Sequence, residues 1–346
     1  MSQPPHYLNL MIDQPKPAPL RNGRFHNDPP APHLDEGNSH LKMLGKFLSP
    51  RNKNAVPAGG IPVVPVLPAE LEARRNVSET HLYRLGHSTI LMKFGADYWL
   101  TDPVFSNRAS PVRWAGPKRF HAAPMTVDDL PTLKGVILSH NHYDHLDKPT
   151  IKRLAHKVER FITPLGLGKY LQNWGVPASK ITELDWWQSH GHGSLNITAT
   201  PSQHFSGRGL RDTNKSLWAS FVLRHKGARI FFGSDSGYFD GFAKIGAAHG
   251  PFDLTLLECG AYDDLWPHMH MTPPQMMQAF HDLGGGTLMP IHNGTFRLAF
   301  HTWKNPLERI SELADSHGTP LLTPHFGECV TLGAPVQPNP WWEGLR

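Results

Sequence analysis

Cysteine is scarce in this sequence, and its scarcity excludes two kinds of scaffold. The 346 residues include only Cys259 and Cys329, and neither belongs to a C-x-x-C pair. A disulfide-stabilised domain and a cysteine-based zinc knuckle both need more thiols than this. Two isolated cysteines suit a reducing compartment, so the sequence favours a cytoplasmic location.

Long apolar segments are lacking as well. The N-terminal stretch MSQPPHYLNLMIDQPKPAP has no charged region followed by an apolar one, so we expect neither a secretory signal nor secretion. No window approaches the roughly 20 apolar residues that span a bilayer. We therefore expect a cytoplasmic protein that at most attaches to the inner face of a membrane.

Dense runs of lysine and arginine are absent too. The net charge is only +5 and the isoelectric point is near 9.1, which is a mild basic bias. This bias fits an anionic partner such as phosphate or a phospholipid headgroup, and we expect no nucleic-acid partner. Neither G-x-x-x-x-G-K-[ST] nor G-x-G-x-x-G occurs at a strand-to-helix junction, so no nucleotide cofactor is expected.

Proline, in contrast, is abundant. Much of the excess among its 33 residues lies before residue 70, which predicts an N-terminal extension over residues 1–78 that wraps over a core or stays flexible. Within it, SHLKMLGKFLS (Ser39 to Ser49) is typical of a short helix, either docked on the parent domain or lying at a membrane surface. Residues 79–346 form the predicted catalytic domain.

The pattern changes near residue 80, where short apolar segments alternate with glycine, aspartate and proline. THLYRLG, STILMKFG, DYWLTDP and GVILSH form one series of predicted strands, and LNITATPSQH, LWASFVLRH, ARIFFGSDSG and DLTLLECGA form a second. Helical patterns cover residues 148–158, 164–174, 272–283 and 305–317. Two strand series with helices between and after them indicate a layered α/β fold with two sheets.

The stretch SHNHYDHLD concentrates metal-binding side chains between a predicted strand and a predicted helix. His140 and His142 are two residues apart on an extended segment, so both rings can point the same way. Asp144 and His145 follow in the turn, where they can bind a second ion. Nitrogen and carboxylate ligands without thiolate suit zinc, manganese or iron at an open catalytic site.

Three later residues, each directly after an apolar strand, can complete two coordination spheres. They are His204 in TPSQH, Asp235 in GSDSG and His292 in MPIH. Ligands of open α/β folds lie at such strand ends. GSDSG is similar to the nucleophile elbow G-x-S-x-G, but Asp235 occupies the serine position, so a serine hydrolase is excluded and a bridging carboxylate is predicted.

These residues resemble the metallo-β-lactamase superfamily, and within it the N-acyl-phosphatidylethanolamine-hydrolysing phospholipase D branch and its bacterial relatives. The resemblance runs from about residue 80 to 330 and rests on TDPVFSNRASPVRWAGPKRF, SHNHYDHLD, TPLGL, ELDWW, TPSQH, NKSLWASF, GPFDL, GAY and PIHNGTF. It implies a four-layer αββα sandwich with two zinc ions at the edge between the sheets. By the resemblance, the zinc ligands are His140, His142 and His204 at one ion, Asp144, His145 and His292 at the other, and Asp235 at both.

The resemblance also implies catalytic residues and partners. His270 in WPHMHMTPPQ matches a histidine that meets the substrate phosphate, whereas His268 lies two residues away, and Asp144 is the second catalytic residue we predict. His87 and His325 also fall where the family has histidine; each is predicted either to orient ligands or phosphate, or to be a buried, hydrogen-bonded residue. A peripheral membrane contact and a homodimer accord with the animal members.

The expected activity is phospholipase D cleavage of N-acyl-phosphatidylethanolamine to N-acylethanolamine and phosphatidic acid. The same metal site also suits hydrolysis of a lactone, a β-lactam, a thioester or another small ester, because the ligands do not distinguish an attack on carbon from one on phosphorus. Nuclease action and a non-enzymatic binding role are weaker alternatives, since no dense basic surface is evident and the ligand set is complete.

Overall fold

The computed structural model describes residues 16–32, 45–46, 54–209 and 211–345, and these form two packed sheets with helices on both outer faces. Of the short helix predicted over Ser39–Ser49, only residues 45–46 fall inside the described part, where they are helical. The rest of that prediction lies outside the described residues.

The first sheet has seven strands; in spatial order the first four pair antiparallel, and the fourth to the seventh pair parallel. In spatial order they are β15 (Cys329–Thr331), β3 (His81–Arg84), β4 (Ile90–Phe94), β5 (Asp97–Thr101), β6 (Leu133–Ile137), β7 (Val158–Pro164) and β8 (Ile181–Leu184).

The second sheet has six strands; in spatial order the first three pair parallel, and the third to the sixth pair antiparallel. In spatial order they are β14 (Thr287–Ile291), β13 (Leu254–Glu258), β12 (Ala228–Phe232), β11 (Ser220–His225), β10 (Leu195–Thr200) and β9 (Ser189–His192).

Six α-helices of six or more described residues cover the outer faces. They are α1 (Pro68–Arg74), α2 (Lys148–Leu154), α3 (Gly168–Asn173), α4 (Gly241–His249), α5 (Pro273–Asp282) and α6 (Asn305–His317). The predicted helix over 148–158 is too long, because β7 begins at Val158. The helix predicted over 164–174 corresponds to α3, which begins four residues later than predicted, and α1 and α4 have no predicted counterparts.

Three apolar layers hold these elements together. Along β4, Ile90, Met92 and Phe94 point into the core between the sheets, whereas Leu91 points to the outer face under α1, α2 and α3. A third cluster lies between the second sheet and α4, α5 and α6. The predicted αββα sandwich is confirmed, and it places the site residues at one edge of both sheets.

The described part of the N-terminal extension contacts this sandwich. β1 (Leu20–Arg21) and β2 (Arg24–Phe25) form a small hairpin, and the buried Phe25 side chain joins the core between the sheets. The backbone N–H of Phe25 also donates to the carbonyl of Asn214, 2.8 Å away. Residues 16–32 therefore wrap over the site edge of the fold.

Candidate metal centre

Five strands deliver acidic or histidine side chains to the same edge of the sandwich. The side chains that follow them are Asp102 after β5, His140 after β6, His204 after β10, Asp235 after β12 and His292 after β14. β5 and β6 are parallel, as are β12 and β14, so their carboxyl ends meet where the two sheets face each other. This is where open α/β sheets bind ligands.

Two of these strand ends are shaped by an uncommon backbone conformation. Asp102 and His292 have φ angles of 32° and 60°, in the left-handed region that side chains other than glycine seldom adopt. Ser234, beside Asp235, has a φ of 50°. Such strain is characteristic of functional sites, because the surrounding structure must hold it in place. Here it turns the chain sharply after each strand, towards the cluster.

The first cluster contains three histidines. His140 Nε2 lies 2.9 Å from His142 Nδ1, and His204 Nε2 lies 3.2 Å from the same His142 atom. His142 therefore presents Nδ1 to the cluster, whereas its two neighbours present Nε2. Asp235 Oδ2 lies 3.7 Å from both Nε2 atoms.

The second cluster is built around Asp144. Its Oδ2 lies 3.4 Å from His145 Nε2 and 3.2 Å from His292 Nε2. Asp235 joins this cluster through its other oxygen, since Oδ1 is 3.1 Å from His145 Nε2 and 3.2 Å from His292 Nε2. Asp235 thus presents one carboxylate oxygen to each cluster, which is the geometry of a bridging ligand.

These separations match the spacing of donor atoms around an ion. In a tetrahedral zinc site with bonds of about 2.0–2.1 Å, adjacent donor atoms lie about 3.3–3.4 Å apart. Two of the atoms, His145 Nε2 and Asp235 Oδ1, are buried without a hydrogen-bond partner among the described residues, although they lie close together. Buried polar atoms rarely stay unsatisfied, so a cation fits both clusters.

The protonation states favour the same conclusion. Burial lowers the pKa of His140 and of His204 well below the ordinary value, so both rings are neutral and can donate a lone pair. Burial alone would raise the pKa of Asp235, but His145 and His292 hold it well below its usual range. Burial opposes protonation of His145, yet Asp235 and Asp144 raise its pKa well above the usual value. Metal binding at the second cluster would displace that proton.

Partners outside the clusters fix the orientation of the rings. His145 Nδ1 lies 2.7 Å from the buried Asp102 Oδ2, and His140 Nδ1 lies 2.9 Å from Ser139 Oγ. His204 Nδ1 donates to the carbonyl of Met269, 3.1 Å away. Such hydrogen bonds set the tautomer of a metal-binding histidine and raise its basicity. Sequence analysis missed Asp102, although its place after a strand in LTDP carries the same signal as Asp235.

Comparison with known proteins identifies the fold family. A family model described as a beta-lactamase superfamily domain matches residues 98–293, more than half of the chain. The chain belongs to the metallo-β-lactamase superfamily. The match includes both clusters, and the resemblance predicted from the sequence is confirmed.

Relatives and solved structures extend this assignment. An uncharacterized protein from Mycobacterium tuberculosis is 40% identical over 326 residues, covering 93% of this chain and 86% of the relative. N-acyl-phosphatidylethanolamine-hydrolyzing phospholipase D 1 from Caenorhabditis elegans is 32% identical over 350 residues, covering 95% and 98%. The fold is similar to that of CmlA, a diiron beta-hydroxylase from Streptomyces venezuelae, with a TM-score of 0.59 and 20% identity over 74% of this chain and 55% of CmlA.

As a member of this metallo-β-lactamase superfamily, the protein has His/Asp clusters able to bind metal in a hydrolase fold. All seven predicted ligands lie in the two clusters, and their binding of metal stays a prediction. None of the helices in the described ranges is long and apolar enough to cross a membrane.

His87 belongs to the second cluster more closely than the sequence predicts. Its Nε2 lies 3.4 Å from Asp144 Oδ2, and its ring centroid lies 3.8 Å from that of His292. Neither ring nitrogen makes a well-directed hydrogen bond among the described residues, and both predicted roles of His87 stay predictions. Burial has the larger effect and the neighbouring His292 the smaller one, and together they lower the pKa of His87 to about 3. His325 lies elsewhere, with Nδ1 3.1 Å from Glu328 Oε2.

His270 lies directly beside both clusters. Its ring centroid is 5.3 Å from that of His292 and 5.1 Å from that of His204, and its Nδ1 lies 3.3 Å from Glu258 Oε2. His268 is exposed, and its backbone carbonyl accepts a hydrogen bond of 3.0 Å from Gln203 Nε2. The segment packs so closely that a Cβ at Gly237 would lie 1.9 Å from the His268 carbonyl oxygen.

A contact from the N-terminal extension reaches a predicted ligand. Asn27 Nδ2 donates to the carbonyl of His204 over 2.9 Å, and the His204 N–H donates back to Asn27 Oδ1 over 3.0 Å. Trp218 Nε1 donates to the same Oδ1 over 3.1 Å. Asn27 therefore holds the backbone of a cluster residue, a role that no local sequence signal indicates.

A cationic cavity opens beside the clusters, next to Tyr143, which lies between His142 and Asp144 in the chain. Its volume is about 770 Å³. One acidic residue, Asp147, lines it, together with five basic residues: Arg108, Arg113, Lys148, Arg153 and Arg208. None of the seven predicted ligands lines this cavity, which adjoins the SHNHYDHLD segment through Tyr143 and Asp147 and carries a positive potential.

Proposed function

We propose that the protein is a zinc-dependent phospholipase D-type hydrolase that releases N-acylethanolamine and phosphatidic acid from N-acyl-phosphatidylethanolamine. The relative from Caenorhabditis elegans, which is similar over 95% of this chain, has that activity in its name. A mitochondrial relative from Saccharomyces cerevisiae with the same activity in its name is 35% identical over 229 residues, covering 63% of this chain and 48% of the relative.

The observation that carries the proposal is the cationic cavity beside two metal-binding clusters. A phosphodiester brings a negative charge to the site, whereas a lactone or thioester is neutral. Arg208 is held in this cavity by bonds of 2.7 Å from Nη1 to the carbonyls of Asn141 and Leu146, and its Cζ lies 3.9 Å from the centre of the Tyr143 ring. A fixed guanidinium suits recognition of a phosphate group.

For the ligands we keep the division that the resemblance implies. We assign His140, His142 and His204 to one ion and Asp144, His145 and His292 to the other, with Asp235 bridging. Zinc held by these residues would supply a Lewis acid for the phosphoryl oxygen and would lower the pKa of a water molecule.

Side chains of the protein carry the remaining steps. His270 Nδ1 donates to Glu258, which leaves Nε2 to hold a phosphate oxygen or to protonate the leaving oxygen. The Asp144 side chain is 14% exposed, compared with 2% for Asp235, so Asp144 faces the substrate side. There its carboxylate orients the attacking water and accepts the proton.

The proposed substrate lies in a membrane, so a surface contact accompanies the reaction. Trp114 is 81% exposed in the segment between β5 and β6, where Arg113 lies beside it and Lys118 follows. Tryptophan with neighbouring cations is a typical combination at the boundary between headgroups and acyl chains. We propose that this segment rests on the lipid surface while the cavity receives one headgroup.

Mass spectrometry of lipid products tests the proposal. Zinc-loaded protein is incubated with N-acyl-phosphatidylethanolamine in mixed micelles, in parallel with an Asp235→Asn variant and with a long-chain acyl lactone as substrate. Release of N-acylethanolamine by the wild type alone is the expected result. Lactone opening without release of N-acylethanolamine would overturn the phospholipase assignment and retain the metal centre.

A further inference from the structure

A second cavity lies beside the connection between β5 and β6. Its volume is about 610 Å³, and none of the described residues that line it is acidic. Four basic residues line it instead: Arg108, Lys118, Arg119 and Arg297. It contains no residue of either metal cluster and shares only Arg108 with the substrate cavity.

Arg119 distinguishes this cavity from an ordinary basic surface. The residue is only 8% exposed, and its Nη2 donates to the carbonyl of Val104 over 3.1 Å. Its Nε and Nη1 atoms are buried, and neither has a hydrogen-bond partner among the described residues. Burial lowers the pKa of Arg119 to about 10, with Asp147 acting in the opposite direction, so the guanidinium stays charged at neutral pH.

A buried, charged guanidinium with two unused donors is costly unless an anion pairs with it. Asp147 is not the anion that pairs with Arg119, because its oxygens accept hydrogen bonds from Ser106 and Thr150 instead. The other cations at the cavity add to the positive potential. Five uncharged residues complete the lining, among them the apolar Val56, Pro57 and Phe120, and the volume leaves room for more than a bare ion.

We propose that this cavity is an anion site, separate from the metal centre, for a phosphate monoester group. Arg119 would bind the phosphate oxygens at its base and Lys118 would bind them at its rim. The same chemistry is offered by free phosphate and by the headgroup of an anionic lipid such as phosphatidic acid. The site does not depend on the reaction that the metal centre catalyses, so it stands even if the substrate is a lactone.

Two variants and one control test the site in the metal-loaded, full-length protein. Lys118→Glu reverses the charge of an exposed residue at the rim of the cavity. Arg119→Lys keeps the positive charge but replaces the buried guanidinium by an ammonium group with fewer hydrogen-bond donors. Lys244→Glu makes the same charge change as the first variant on the exposed face of α4, far along the chain from the cavity residues. Thermal melting first tests whether each variant is folded. If Arg119→Lys does not fold, the binding test rests on Lys118→Glu alone.

Binding is measured with two probes. Equilibrium dialysis reports radiolabelled inorganic phosphate, and co-sedimentation reports phosphatidylcholine vesicles with and without phosphatidic acid. We expect both cavity variants to weaken binding of at least one probe by about tenfold, as for loss of a charge-assisted hydrogen bond, and Lys244→Glu to have no such effect. Lys118→Glu leaves the metal clusters unchanged, so any phosphate bound there is the same in the wild type and in this variant. The difference in phosphate binding between the two proteins therefore measures the phosphate bound in the cavity.

Each outcome has a defined meaning. An effect on free phosphate identifies a soluble ligand, and an effect on vesicles alone identifies a lipid headgroup. Wild-type binding of both probes by Lys118→Glu and Arg119→Lys overturns the proposal. Equal weakening by Lys118→Glu and Lys244→Glu overturns it as well, because only the overall charge would then matter.

Discussion

Asp102 Oδ2 lies 2.7 Å from His145 Nδ1, and both side chains are completely buried. This contact turns Nε2 of His145 towards the second cluster. The same carboxylate accepts hydrogen bonds from the backbone N–H and the hydroxyl of Ser139, over 2.8 and 2.6 Å. A single acid thus connects the end of β5 to the start of the SHNHYDHLD motif.

Replacement of Asp102 should lower the metal affinity of the second cluster more than that of the first. We expect Asp102→Ala to reduce metal affinity there by about 10–100-fold, because His145 loses the partner that orients it. Chelator competition with metal analysis measures the change. Asp102→Asn keeps an acceptor of the same shape and should lose less. Full occupancy of both clusters in Asp102→Ala at wild-type affinity would show that the contact does not position His145.

His270 should matter for the rate and not for metal binding. His270→Ala should lower kcat about 10²–10⁴-fold, as expected for loss of an acid–base group, while metal content stays unchanged. His268→Ala is the matched control, because that side chain is exposed in the same segment. If both variants keep full activity, or if His268→Ala has the larger effect, the assignment to His270 is wrong.

Asn27 should affect both stability and the first cluster. Asn27→Ala leaves the buried N–H and carbonyl groups of His204 without their partner, and we expect the free energy of unfolding to fall by about 1–3 kcal/mol. Metal affinity at the first cluster should fall with it. Urea denaturation and chelator competition measure the two effects. Arg21→Ala, at an exposed position on β1, should change neither; an unaltered Asn27→Ala protein would refute the link.

His121 should make the protein less stable in mild acid. Burial, with Arg119 beside it, lowers its pKa to about 3, against about 6.5 in the unfolded chain. Below pH 6.5 only the unfolded state takes up this proton, so stability is full above that pH and falls as the pH drops towards 3. Between pH 7 and pH 5 the loss from this residue is about 2 kcal/mol.

Substitution of His121 isolates this contribution. His121→Gln should lose about 2 kcal/mol less than the wild type between pH 7 and pH 5, as measured by urea denaturation at each pH. His317→Gln, at an exposed position in the last turn of α6, should leave the pH dependence unchanged. Parallel pH curves for His121→Gln and the wild type would contradict the assignment.

The cluster residues could be predicted because they follow four strands: the SHNHYDHLD ligands come after β6, and His204, Asp235 and His292 come after β10, β12 and β14. Period-two apolar segments locate the strands, and an acid or histidine directly afterwards, such as Asp235, marks the site edge. The bounds of the helices could be predicted less accurately. The helix predicted over 148–158 absorbs the start of β7, because KVER carries no signal that distinguishes a helix end from a strand.

Contacts between distant segments escaped prediction for a different reason. The bonds between Asn27 and His204 span 177 positions, and an asparagine in a proline-rich stretch has many local uses. His87 is similar: LGHSTIL locates a strand turn, but only the folded chain brings its ring within 3.8 Å of His292. Composition and periodicity describe neighbours in sequence, and these pairs become neighbours only after both sheets have assembled.

The span between Asn27 and His204 also has a consequence for synthesis of the chain. The asparagine leaves the ribosome first and must wait for a partner made 177 residues later, which at about 5–20 residues per second takes roughly 10–35 seconds. During that interval Phe25 has no inter-sheet core to enter. The segment that holds the His204 backbone is therefore translated well before the strand end that it contacts, and it reaches its final place only after that strand has been made.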